Sequence, residues 1–215
     1  MPDHTAHVAH QFETAEQQQE VATLGMWAFL VQEIMFFGGL FTAYTIYRHQ
    51  YPDAFAAASH HLNYLLGAFN TAVLIGSSMT MALAVAAAQT GKRRNQIVLL
   101  LLTIALGSVF LGVKVVEYHD KWVHHLVPGL RFEFEGAHGR EAQIFFCLYF
   151  AMTGMHALHM IVGIGILSGL VVMAWRGRFS PEYYTPVELT GLYWHFVDIV
   201  WIYLFPLLYL IRVSQ

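Results

Sequence analysis

Residues 97–117 read IVLLLLTIALGSVFLGVKVVE, and this run carries no ionisable side chain before Lys114. A helix rises 1.5 Å per residue, so about 20 residues cross the roughly 30 Å hydrocarbon core of a bilayer. The stretch is therefore sized and composed as a transmembrane helix. Working outward from it, four more blocks of the same kind occupy residues 24–47, 64–88, 142–175 and 189–211. The block at 142–175 is longer than one crossing needs and is expected to tilt or protrude. The whole chain of 215 residues is 57% hydrophobic and 12% charged, whereas a soluble domain carries about twice that charge fraction. The expected fold is all-α: an integral membrane bundle of five transmembrane helices, with residues 1–23 as an N-terminal segment and residues 24–215 as one domain.

The connections fit this division. Tyr51-Pro52-Asp53 lies in the first and Gly91-Lys92-Arg93-Arg94-Asn95 forms the second. The third, residues 119–141, is the longest and holds Pro128-Gly129 and Gly136; the fourth contains Arg176-Gly177-Arg178, Pro181 and Pro186. With five spans, the N-terminus shares a side with Lys92-Arg93-Arg94 and with Arg176 and Arg178. Arg48, Lys114, Lys121, Arg131, Arg140 and Arg212 fall on the other side or at its edge. Basic clusters hard against the membrane mark the cytoplasmic face, so the N-terminus is expected in the cytoplasm. Residues 1–23 contain no Lys or Arg, so the basic start of a secretory signal is missing and the first block is expected to insert and stay.

Several function classes fall away on composition. A net charge of −3 argues for no nucleic-acid partner. Cys147 is the single cysteine, which excludes an internal disulfide and any CxxC site. His4, His7 and His10 are evenly spaced, but such a triplet in a chain terminus reads first as solvated. Small residues punctuate the spans at Gly38-Gly39, Gly67, Gly76-Ser77-Ser78, Gly163, Gly165 and Gly169; in lipid these let helix backbones approach closely.

The informative residues are the polar ones that lipid should not contain, because ionisable groups at membrane depth are costly. Glu33 lies roughly 14 Å into the first span, near the midplane. His156 and His159 form an i, i+3 pair in the fourth span, and His195 and Asp198 another in the fifth. Glu117 ends the third span, where an interfacial position is cheap. Counting depth from the span ends puts Glu33, His159, His195 and Asp198 in one polar layer. Each residue also has a plain reading as a hydrogen bond between helices, worth about 0.6 kcal/mol on average. For Glu33, hydrocarbon favours the uncharged acid, which suits a proton carrier, a reactive carboxyl or a hydrogen-bond donor to lipid or a neighbouring helix. Two His on one helix face cannot supply the opposite axial positions of one haem, and Glu-x-x-His pairs for a dicarboxylate metal site are lacking.

Five stretches in order resemble subunit III of the haem-copper oxidases, the cytochrome c oxidase type in particular. They are Leu24-Gly25-Met26-Trp27 with Gln32-Glu33-Ile34-Met35-Phe36-Phe37-Gly38, Phe69-Asn70-Thr71-Ala72-Val73-Leu74, Val116-Glu117-Tyr118, Met155-His156-Ala157-Leu158-His159, and Tyr193-Trp194-His195-Phe196-Val197-Asp198-Ile199-Val200-Trp201. The resemblance implies a non-catalytic accessory subunit with no haem or copper of its own. It would be docked on subunit I beside subunit II and other small subunits, with haem and copper in those partners. It also implies phospholipid binding and support of proton uptake during oxygen reduction. Glu33 matches the family's intramembrane carboxylate, and Glu117, His156, His159, His195 and Asp198 match its other buried polar positions. The fullest members have seven spans and this chain starts at their third, which implies the five-helix bacterial form in a plasma membrane. The same scaffold in a quinol oxidase or nitric oxide reductase complex is the near alternative, although Gln32-Glu33 resembles the cytochrome c type. A small proton or solute transporter built on the polar layer is the distant one.

Overall fold

The structure is a computed structural model, and it describes residues 12–129, 132–134 and 139–211. His4, His7, His10, Arg131, Gly136 and Arg212 lie outside the described residues. Six helices make up the rest: α1 (Ala15–Gln50), α2 (Pro52–Ser59), α3 (Tyr64–Gln89), α4 (Arg93–Val123), α5 (Gly139–Trp175) and α6 (Thr185–Tyr209). Five of them, all but α2, are long and apolar enough to cross a membrane. The fold is the expected all-α bundle of five spans.

The helices overrun the apolar blocks, because polar residues continue a helix past the hydrocarbon edge. α1 begins at Ala15, where the Thr14 side chain accepts a hydrogen bond from the Gln17 backbone N–H, the usual way to satisfy a free N-terminal donor. α4 runs beyond Glu117 to Val123, and at 37 residues α5 extends about 56 Å. Asn63 caps α3 by accepting from the N–H groups of Leu65 and Leu66. α3 and α5 each end one to two residues before a glycine in the left-handed region, Gly91 at φ 68° and Gly177 at φ 71°, where a Cβ would be strained. The Arg93 guanidinium donates to the carbonyls of Ala174 and Trp175, so the two basic loops do lie together on one side.

The first connection is not a simple loop. Pro52 occupies the first turn of α2, where its missing N–H costs nothing. Eight residues are too short to announce themselves by periodicity, yet Phe55 and Ala58 of α2 are wholly buried. Phe55 meets Tyr44 and Phe145 in ring contacts. The Ser59 hydroxyl donates to the Ile211 carbonyl, and Tyr44 donates to that of Leu207, which joins the ends of α1, α2 and α6.

At the centre stands α6, packed against α3, α5 and α1. Trp194 is fully buried, and its indole N–H donates to the Ser77 hydroxyl at 2.8 Å. A Cβ on Gly107 of α4 or on Gly163 of α5 would approach the Trp194 ring to 2.9 Å. The two glycines therefore form the slot that the ring fills. Gly165 and Gly169, the GxxxG step, have open space around them and take no part in this packing. Replacing Gly163 by Val should destabilise the bundle by about 1–3 kcal/mol through overpacking, while Gly165→Val should leave it within about 0.5 kcal/mol. Thermal unfolding of the two variants in detergent measures the difference; equal melting temperatures would refute the slot.

Candidate functional site: the polar groups inside the bundle

The six residues singled out from sequence divide into distinct settings. Glu33 on α1 and His159 on α5 come together, with Glu33 Oε2 3.2 Å from His159 Nε2. The other ring nitrogen of His159 is 2.8 Å from the Met155 carbonyl, which fixes the ring on its own helix. Phe37 and Tyr193 pack on the His159 ring, and the Tyr193 hydroxyl donates to the His159 carbonyl. Both partners keep a little exposure, 12% for Glu33 and 13% for His159. A cavity of about 440 Å³ adjoins the pair between α1, α5 and α6, walled by Met26, Phe29, Val162, Ile166 and Tyr193 around His159.

His195 and Asp198 lie on another side of α6 from this pair. His195 Nδ1 lies 2.6 Å from the Ser78 hydroxyl of α3, and Asp198 lines the same small cavity as Ser78 and His195. The reason is angular. On α6 the ridge of Tyr193 and Phe196 faces α1 and α5, and His195 and Asp198 point roughly 160° away from it. Depth alone could not reveal that separation. His156, 1% exposed, sits between the rings of Phe110 and Trp201, both 5.3 Å away, and neither ring nitrogen has a hydrogen-bond partner. Its surroundings are those of a packed core side chain.

Glu117 and Lys114 are both buried against neighbouring helices, 3% exposed, rather than facing outward. Lys114 Nζ donates to Glu117 Oε2 and to the Tyr209 hydroxyl, each at 2.7 Å, and Tyr209 donates in turn to Glu117 Oε1. The ammonium also lies 4.5 Å from the Trp201 ring centre. The sequence signal was present: Lys114 and Glu117 are spaced i, i+3, and a charge within a span needs its opposite nearby. What was missing is that Tyr209, at the end of α6, closes the pair. Breaking such a buried pair by removing one partner costs about 3–5 kcal/mol, so this network locks α4 to α6. Lys121, also assigned to the loop side, is buried at 3% and bonds Asp120. Among the described residues, no group of three or more His, Cys, Asp or Glu is placed to hold a metal ion.

These settings rank the membrane carboxyls by access. Glu117 is enclosed by its cation and phenol and Asp198 is 3% exposed, whereas Glu33 retains its contact with the outside. A lipid-soluble carbodiimide should therefore modify Glu33 ahead of Glu117, Asp198 and the loop acids, and Glu33→Gln should abolish that labelling. Peptide mass mapping reads the result; labelling spread evenly over the acids would show Glu33 to be shielded.

The sequence matches a known family. The family model for cytochrome c oxidase subunit III covers residues 3–213. The cytochrome c oxidase subunit 3 of Thermostichus vulcanus is 31% identical over 92% of this chain and 90% of its own. The cytochrome bo(3) ubiquinol oxidase subunit 3 of Pseudomonas aeruginosa is 32% identical over 94% and 91%. A heme-copper oxidase subunit I+III of Aeropyrum pernix is 32% identical over 86% of this chain and 22% of its own. With a five-span bundle and its membrane carboxyls in place, the chain belongs to the cytochrome c oxidase subunit III family and is an accessory subunit III of a haem-copper oxidase.

Proposed function

We propose that this subunit serves an oxidase of the cytochrome c type in a bacterial plasma membrane, docked on the catalytic subunit I with subunit II and small subunits alongside. Haem and copper reside in those partners and none in this chain. Its own task is to steady the catalytic subunit and to support proton uptake during oxygen reduction. The observation that carries this reading is the Glu33–His159 pair. A carboxyl and an imidazole 3.2 Å apart form a set that exchanges protons, not electrons. The fused I+III chain from Aeropyrum pernix supports contact with subunit I. The adjacent loops 91–95 and 176–178, both basic, support a cytoplasmic N-terminus. The apolar cavity beside His159 suits a phospholipid acyl chain.

A second reading, the equivalent subunit of a quinol oxidase, is favoured by the Pseudomonas relative. Purification through a tag on this chain distinguishes the two. The first reading expects a haem spectrum in the complex and oxygen consumption from reduced cytochrome c; consumption from ubiquinol alone would select the second. A preparation without haem would defeat both.

A proton-supplying role also sets an expectation for the complex stripped of this subunit. Initial oxygen consumption should be near normal, because the redox groups are elsewhere. Slower reprotonation would leave reactive oxygen intermediates waiting at the catalytic centre, so irreversible decay per turnover should accelerate. Oxygen-electrode traces at equal haem content test this, and identical decay with and without the subunit would reduce its role to scaffolding.

A further inference from the structure

Asp198 and His195 share one partner. The Ser78 hydroxyl of α3 lies 2.6 Å from His195 Nδ1. The same hydroxyl is the side-chain partner of the Asp198 carboxyl, in a contact looser than an ideal hydrogen bond. All three side chains line one cavity of about 280 Å³, near the middle of α3 and α6. Its remaining wall is Leu74, Ile75, Ile199 and Ile202, all aliphatic, so the wall adds no other charge. Ile75, Ile199 and Ile202 are about half exposed, and the cavity therefore opens on the outer face of the bundle. Asp198 is 3% exposed at its inner end, whereas His195 is only half-buried.

Counting hydrogens shows what this chain of groups can do. A hydroxyl donates once and can accept as it does so, a carboxylate only accepts, and a neutral imidazole carries its hydrogen on either nitrogen. Two arrangements satisfy all three groups with no net charge. In one, the Asp198 acid donates to Ser78 Oγ and Ser78 donates to His195 Nδ1. In the other, an Asp198 carboxylate accepts from Ser78, and a doubly protonated His195 donates to Oγ. Passing from the first to the second breaks the Asp198 O–H and the original Ser78 O–H bonds. It forms a new Ser78 O–H and a His195 Nδ1–H bond, so Ser78 ends as it began and no electron is gained or lost. Removing the shared proton would leave a single negative charge at membrane depth, which lipid penalises.

We propose that Asp198, Ser78 and His195 form a proton-exchange site separate from Glu33 and His159, in which a proton held on Asp198 passes through the Ser78 hydroxyl to His195 at the cavity mouth. Asp198 is the inner store and His195 the outlet. Burial shields the carboxyl from a bulky reagent but not from a transfer along hydrogen bonds. The site goes beyond the oxidase reading, since it needs only groups of this chain and lies on another side of α6 from Glu33.

Infrared spectra of the complex purified through a tag on this chain test the site, recorded in H2O and D2O with the Asp198→Asn spectrum subtracted. The expected result is a carboxylic-acid C=O band that the Asn variant lacks and that shifts in D2O as its hydrogen exchanges. Asp198→Glu should show an acid band at a displaced frequency, which identifies the group even where the Asn variant is poorly recovered. Ser78→Ala should keep the acid band but lose its D2O shift on the timescale on which the unmodified complex completes it, and His195→Phe should do the same. Absence of an Asp198 acid band overturns the site, because the carboxyl is then permanently ionised. A band that D2O leaves unshifted overturns the exchange. A shift that persists unchanged in Ser78→Ala and His195→Phe overturns the path through Ser78. None of these results depends on haem content, so failure of the oxidase reading shows separately, as a preparation without haem.

Discussion

Trp194 decides how the helices are arranged. In lipid no hydrophobic drive pushes helices together, so packing and hydrogen bonds must do so. One side chain supplies both here. Its ring fills the slot made by Gly107 on α4 and Gly163 on α5, and its N–H reaches Ser77 on α3. Three helices are thereby referenced to a single point on α6. About two turns further along, Trp201 repeats the pattern with its N–H on Thr71 and its ring against Phe110. α6 is consequently the most buried of the five spans, and the other polar groups take their positions from it.

The central position of α6 makes it a partition. A helix in contact with neighbours on several sides can present different polar residues to each, and this one does. Tyr193 goes to the His159 side, His195 and Asp198 to α3, and Tyr209 to the Lys114–Glu117 pair. A membrane interior tolerates such groups only where each finds a partner. Glu33 with His159, and Lys114 with Glu117 and Tyr209, meet that requirement as two separate local groups.

Much of this was legible in the sequence. The five spans follow from block length and the cost of charge in lipid, and the depth count correctly brought Glu33 to the level of His159. The helix ends were misjudged because hydropathy records where hydrocarbon stops, while α1 and α4 continue as polar helix beyond it. α2 escaped because its proline reads equally as a turn and as a first helical residue. Depth is one coordinate and azimuth another. A depth count carries no azimuth, so it cannot tell that His195 and Asp198 face α3 while Glu33 faces α5. Lys114 was misplaced for a different reason: a lysine near a span end has the option of reaching outward to water, and only the presence of Glu117 and Tyr209 makes the inward rotamer the better one.

The contrast between Glu117 and Glu33 follows from their partners. Glu117 has the Lys114 amine and the Tyr209 phenol within bonding distance, one on each oxygen, so losing either partner would break a lock between α4 and α6. Glu33 faces the imidazole of His159, on a helix that packs against α1 less extensively than α6 does on α3. The first arrangement encloses its carboxyl and the second leaves it within reach. Two glutamates of the same chain are thereby set apart by what stands opposite them: one is enclosed in the lock between α4 and α6, and the other stays partly exposed beside an imidazole.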